Sequence, residues 1–325
     1  MKPTIDQAIN DYIDHICLSR SEKTAKTYRN ALNAFYRVLE INAVDPNTTS
    51  ISTLTEDAVI WLATMLKDLS PATERLYLTA ATLFYEYIAA NKLAEINLPR
   101  LRLLIRQRAR RPGRRLPQFP RDAIEKIVDY SLRLSSETPE DASERLRLFR
   151  DRAFLLTLAD TGLRVHEACA LRRGDIDWDE GRAIIIGKGN QQALVRFSSR
   201  SIDSIQDYIK TRSELDGATG RALSSLPVFA RHDKGAGKKV KPITTTTGRN
   251  IVAQRVRECL GDEAVGTITP HSFRHYFVTT VLLGSGGNLK MAQELARHKN
   301  ISVTQRYAHL ADHELDKGYY EIFEK

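Results

Sequence analysis

Between positions 100 and 120 the chain reads RLRLLIRQRARRPGRRLPQFP, and this stretch limits the fold more than any other. Eight arginines and no acid lie between 100 and 115, and Pro112, Gly113, Pro117 and Pro120 break regular structure. A charge run closed by such breakers marks a domain boundary. The expected organisation is a helical domain over 1–105, a basic linker over 106–120 and a larger domain over 121–325. At 325 residues, each domain is long enough to bury a core of its own.

Before the boundary, apolar residues recur at helical spacing. Ala25, Tyr28, Leu32, Phe35 and Leu39 fall three or four residues apart. Leu76, Ala80, Leu83, Phe84, Tyr87 and Ile88 do the same after Ser70, a cap residue, and Pro71, a first-turn proline. These faces predict a small helical bundle. Beyond the boundary a helix is expected from about Glu144, with Leu146, Phe149, Ala153 and Leu156 inward. It should end at Thr161-Gly162, before another helix that carries Glu167, Ala168 and Leu171. Arg164 then stands at a helix start, directly after a glycine turn. Two β-rich runs, 182–186 and 193–197, flank Gly187-Lys188-Gly189-Asn190, a hairpin signal that puts Lys188 on the turn. Residues 231–241, with Gly235, Gly237 and four lysines, read as a mobile basic loop, and 247–260, 272–283, 289–297 and 312–323 as helices. The expected fold class is mainly α with a small β-hairpin or sheet.

The formal net charge of +9 arises from 49 Lys and Arg against 40 Asp and Glu, which favours a polyanionic partner. Nucleic acid comes first and an anionic membrane surface second. Hydrophobic content of 42% marks a globular chain, and no apolar run has the length of a membrane span. The opening MKPTIDQAINDYIDHI is acidic and amphipathic, without an apolar export segment. Cys17, Cys169 and Cys259 are odd in number, far apart and in no ligand spacing, so they read as reduced packing residues of a cytoplasmic protein. No membrane partner, metal or cofactor is expected.

The residues that carry chemistry lie in the second domain. PHSFRH puts His271 and Arg274 at i and i+3 on one helix face, and LARHKNISVTQRYAH puts His298 nine residues before Tyr307. Cutting a phosphodiester without metal takes a nucleophile, cations on the nonbridging oxygens and an acid for the leaving alkoxide. Arginine suits the second task, since a guanidinium stays charged and offers paired N–H donors to two oxygens. Glu167, one turn after Arg164, has the spacing to orient it. Singly these residues say little. A tyrosine picked from the chain's twelve is usually a packing residue, and GKGN lacks the GK[ST] ending of a phosphate loop. The i,i+4 pairs His271 with His275 and His309 with His313 suggest zinc only weakly, for HExxH and cysteine ligands are missing.

Together and in this order, Arg164, Lys188, His271, Arg274, His298 and Tyr307 resemble the catalytic set of the tyrosine recombinases, the phage integrase family. SEKTAKTYRNALNAFYRVL and LSPATERLYLTAATLFYEYI are similar to the family's core-binding domains. Their onset close to Met1 is expected to leave no room for the arm-binding domain of lambda-type integrases, so the chain looks Xer-like or Cre-like. The resemblance implies a helical core-binding domain and a mixed α/β catalytic domain that close as a clamp on duplex DNA. It implies Tyr307 as the nucleophile that forms a 3′-phosphotyrosine, with Arg164 and Arg274 on the phosphate and Glu167 behind Arg164. His271 then takes the phenolic proton, His298 donates to the phosphate, and Lys188 is the general acid toward the 5′ oxygen.

The resemblance also implies inverted-repeat target sites and a homo-tetramer on two duplexes. It further implies a Holliday junction formed with neither ATP nor metal, and a tail helix over about 312–325 that docks on a neighbour. Arg100, Arg102, Arg106, Arg108, Arg110, Arg111, Arg114 and Arg115 are expected to strap the DNA backbone. Arg297 is a departure, standing where many members have glycine before the histidine. Two rivals share features of this pattern. A type IB topoisomerase uses similar chemistry but yields relaxed circles without partner exchange, and a silent DNA-binding regulator fits an intact set of six residues poorly.

Overall fold

Thr4, Ser21, Ser70 and Asn97 each accept a backbone N–H from the turn that follows, which starts four helices of the amino-terminal unit where short polar side chains stand. The computed structural model describes residues 2–110, 120–134, 139, 141–187, 192–233, 235 and 239–307. It divides into two units, Met1–Arg114 and Arg115–Lys325. The first contains α1 (Ile5–Ser19), α2 (Glu22–Ile41), α3 (Ala58–Met65), α4 (Pro71–Ala90) and α5 (Leu98–Arg108). On α2, Ala25, Leu32, Phe35 and Leu39 are buried as their spacing predicts, and Tyr28 is half-buried. On α4, Ala80, Phe84 and Ile88 are buried as their spacing predicts, Leu83 and Tyr87 are half-buried, and Leu76 departs from the expected stripe. Leu76 is 41% exposed, and Leu78, Ala81, Tyr85 and Ile88 are buried with Phe84. Leu76 is two residues from Leu78, which turns it about 200° around the helix and away from the core.

The basic run begins as helix rather than linker. Leu101 is fully buried, and the Arg100 guanidinium donates to Glu56 at 2.9 Å and Asp57 at 2.8 Å. Arg102 donates to Glu86 at 2.7 Å. The backbone N–H of Arg110 donates to Glu74 at 2.9 Å, and its side chain pairs with the same carboxylate, which also accepts from Lys67. These pairs tie the first half of the run to the bundle, so the helix continues through Arg106 to Arg108. Arg111, Arg114 and Arg115 lie outside the described residues.

The second unit contains α6 (Arg121–Arg133), α7 (Ala142–Thr161), α8 (Val165–Ala170), β1 (Ile176–Asp177), β2 (Arg182–Ile186) and β3 (Gln192–Arg196). There follow α9 (Ser199–Thr211), α10 (Ser213–Gly217), α11 (Thr245–Leu260), α12 (Pro270–Gly284), α13 (Leu289–Ala296) and α14 (Ile301–Thr304). Central α7 packs against α6, α8, α9 and α12 and is buried on most sides, so even Arg150 and Asp151 lie inside. Asp151 accepts from Arg150 at 2.8 Å and from Arg255 at 2.7 Å, which satisfies a charge that burial would otherwise penalise. The strands form an antiparallel sheet in the order β1-β2-β3, with Ile184 opposite Leu194. The hairpin matches its expected position, whereas β1 has two residues and no readable period.

Within the loop expected over 231–241, the Arg231 N–H donates to the Lys241 carbonyl at 2.9 Å, and His232 is buried against Tyr208. Cys17, expected to pack, is exposed on α1, while Cys169 is buried and Cys259 half-buried; all three are free. No described helix is long and apolar enough to cross a membrane. The tail helix expected over 312–325 lies outside the described residues.

Candidate active site

Gly162 turns the chain out of α7 with φ of 58°, and the Phe277 ring of α12 lies so near that any Cβ at this position would collide with it. The turn delivers Arg164 to the start of α8. Its N–H donates to Glu167 Oε2 at 2.8 Å, and its Nη1 donates to Oε1, also at 2.8 Å. The Glu167 side chain is 1% exposed and that of Arg164 is 39% exposed, so the carboxylate is sealed behind a guanidinium whose outer face is free for another anion. Burial alone would raise the Glu167 pKa. The Arg164 N–H, the Arg164 guanidinium and the charge of Arg297 outweigh burial and hold the carboxyl below its ordinary range.

Arg274 of α12 is buried and donates from Nη1 to the Gly162 carbonyl and from Nη2 to the Ala296 carbonyl. It therefore joins the turn after α7 to the end of α13. Burial, then the charges of Arg164 and Arg297, push its pKa down to about 9, which leaves it protonated at neutral pH. His271 is exposed at the start of α12, one turn before Arg274. Partial burial, then Arg274 and Arg164, lower its pKa from the ordinary imidazole value. His298 follows α13 with Nδ1 at 2.9 Å from Oγ1 of buried Thr304. Burial first, and then Arg274 and Arg164, push the ring down to about 4, so it is neutral at pH 7.

Arg164, His271, Arg274 and His298 line one open cavity of about 410 Å³ with Glu167 and Arg297. Gly187, which follows β2, and Gln192, the first residue of β3, are on its wall. Lys188 itself lies outside the described residues. Tyr307 is placed differently. It is 2% exposed and packs with Val278, Leu282, Ala292 and Ala296, its ring centroid 5.4 Å from that of His275. The His275 ring in turn meets that of His271 edge-on at 4.2 Å. Imidazoles thus connect the cavity to the tyrosine.

Two residues given no role from sequence belong to this place. His275 is pushed down to about 4 by burial, then by His271 and Arg274, and its buried Nδ1 has no hydrogen-bond partner among the described residues. The i,i+4 pair His271 and His275 was the available signal, but zinc spacing and a shared face toward a tyrosine look alike in one dimension. Arg297, legible only as a departure, reaches Glu167 at 3.4 Å.

Residues 122–314, which hold this cavity of guanidiniums and imidazoles, match the phage integrase family. The chain belongs to that family, the tyrosine recombinases, enzymes that cleave and rejoin DNA strands at specific sites. It is 28% identical over 304 residues to the tyrosine recombinase XerC of Pediococcus pentosaceus, an alignment that spans 93% of this chain and 92% of that one. Its fold is similar to XerH site-specific recombinase bound to palindromic difH substrate in a post-cleavage complex. The TM-score is 0.67 at 16% identity, with 100% of this chain and 98% of that one covered. It is also similar to the Tn1549 transposon integrase in complex with transposon right end DNA, with a TM-score of 0.64, 18% identity and 99% and 100% coverage.

Proposed function

We propose that this recombinase exchanges strands between two DNA duplexes with Tyr307 as its nucleophile and Arg164, Arg274, His271, His298 and Lys188 around the scissile phosphate. The supporting observation is the convergence of both arginines and both histidines on one cavity, with each arginine already held by the protein. Glu167 fixes Arg164, and two backbone carbonyls fix Arg274, so their free N–H groups meet the nonbridging oxygens without reorganisation. His298 Nδ1 lies 2.9 Å from the Thr304 hydroxyl, and the proposed role requires the tautomer in which that hydroxyl donates to Nδ1 and neutral His298 carries its proton on Nε2, toward the phosphate.

In the step itself, the Tyr307 oxygen bonds to phosphorus and the bond from phosphorus to the 5′ oxygen breaks. The phenolic proton passes to His271, and Lys188 gives a proton to the leaving 5′ oxygen. Because Tyr307 is packed between α12 and α13 side chains, it must turn toward the cavity before it attacks. The energy of the ester is kept in the 3′-phosphotyrosine, so a 5′ hydroxyl of the second duplex reverses the step without ATP. Inverted-repeat half-sites, four protomers on two duplexes and a Holliday junction complete the proposed cycle, with both units of the chain on the DNA.

Incubation with a nicked duplex that carries the target site tests this. Wild-type protein should give a covalent band on a denaturing gel, and Tyr307→Phe none. A band that persists in the variant assigns the nucleophile elsewhere.

A further inference from the structure

Arg297 takes no part in the chemistry above, yet its backbone and side chain are both unusual. It ends α13 at φ 57° and ψ 45°, a left-handed conformation that glycine adopts freely and a side chain with a Cβ adopts under strain. Its side chain is 11% exposed and turns back into the site. There, Nη2 lies 3.2 Å from the Gly162 carbonyl and 3.4 Å from Glu167 Oε2, and Nη1 lies 3.4 Å from the Thr161 carbonyl. These partners are shared. Glu167 is the carboxylate that holds Arg164, and the Gly162 carbonyl is the acceptor that holds Arg274.

We propose that Arg297 is a positioning residue that sets both phosphate-binding arginines at once, through Glu167 for Arg164 and through the Gly162 carbonyl for Arg274. A planar guanidinium offers several donors in a fixed fork, so one side chain can serve a carboxylate and a carbonyl on either side of the same turn. Its charge also helps keep Glu167 ionised beside Arg164. The strained backbone at 297 is the condition for the side chain to arrive there: glycine relaxes the turn and empties this position. The inference rests on the proposed roles of Arg164 and Arg274.

The test uses the full chain and a suicide duplex bearing the site recovered from random-sequence DNA by selection with this protein. Thermal melting, duplex affinity and single-turnover cleavage are measured for wild type, R297G, R297K, E167Q and the R297G/E167Q double variant. R297G should bind duplex within about threefold of wild type yet cleave on the order of 10- to 100-fold more slowly, as expected for small misplacement of catalytic groups. In the E167Q background the same change should cost much less, because one of its two routes is already gone. Equal losses in both backgrounds, or wild-type cleavage by R297G, overturn the proposal. Should R297G melt at a lower temperature, R297K decides. The ammonium keeps the charge but cannot reach both partners, so undiminished cleavage by R297K overturns the dual role. A wild-type chain that forms no Tyr307 adduct on this duplex refutes the proposed reaction, and the inference with it. Cleavage by wild type that R297G equals refutes the inference alone.

Discussion

The ring of His275 stands 5.4 Å from that of Tyr307 and holds it against the α12 and α13 side chains, where the tyrosine is 2% exposed. Tyr307 is therefore a core residue as well as the proposed nucleophile, and its two roles separate by substitution. Tyr307→Phe keeps the packing and should change stability by less than about 1 kcal/mol. Tyr307→Ala should cost about 3 kcal/mol, since it leaves a cavity among Val278, Leu282, Ala292 and Ala296. Denaturant melts measure both, and neither variant should form the covalent adduct.

Sulfur in place of the 5′-bridging oxygen distinguishes the acid from the phosphate clamps. Lys188→Ala should fail on ordinary DNA and cleave the sulfur substrate, because a thiolate leaves without a proton. Arg164→Ala should lose about 3 kcal/mol of barrier lowering, or roughly 10²-fold in rate, as when a preorganised donor to an oxyanion is removed. Sulfur should not restore it. Rescue of the arginine variant would reverse the two assignments.

The arginines from 100 to 110 should fall into two groups. Arg106 is exposed, and Arg106→Ala should weaken binding to all sequences alike, flattening the slope of log affinity against log salt by about 0.9. Arg110 shares the buried Glu74 carboxylate with Lys67, so Arg110→Ala should lower stability by about 1–2 kcal/mol before it affects the salt slope. Binding isotherms at several salt concentrations, set beside thermal melts, separate the two effects. A slope change at Arg110 with an unaltered melt would place it on DNA.

Acid should weaken the second unit well before the carboxylates titrate. Burial, then Arg150 and Arg212, push His232 down to about 3, and His275 and His298 are held at about 4. In the unfolded chain each imidazole takes up its proton near the ordinary value of 6.5, so between that pH and about 4 the unfolded state binds more protons. The stability these groups contribute is complete above pH 6.5 and declines as pH falls toward 4. Denaturant midpoints should be flat from pH 8 to 7, drop below 6.5, and drop less in His232→Gln. A midpoint that does not move between pH 7 and 5 contradicts the burial of these rings.

Much of the site was readable in one dimension because its residues hang on local rules. Gly162 before Arg164, the i,i+3 step from Arg164 to Glu167 and that from His271 to Arg274 are short-range relations that a helix and its cap dictate. The antiparallel pairing of β2 with β3 was legible for the same reason. Leu76 and Leu78 show where such rules stop, since both fit an apolar pattern and only the packing of α4 on its neighbours chose between them.

Sequence alone determined the helical character of the chain and its basic balance, which follow from residue type and spacing, and it offered a candidate set of site residues through the resemblance to the tyrosine recombinases. Tertiary structure decided which charges are available. Arg100, Arg102 and Arg110 are engaged by acids 16 to 44 residues away in the chain. Arg297 meets Glu167 across 130 residues. It also decided that Tyr307 starts buried beside His275. Ion pairing and burial depend on distance in space, and the chain sets that distance only once the helices of each unit have packed together.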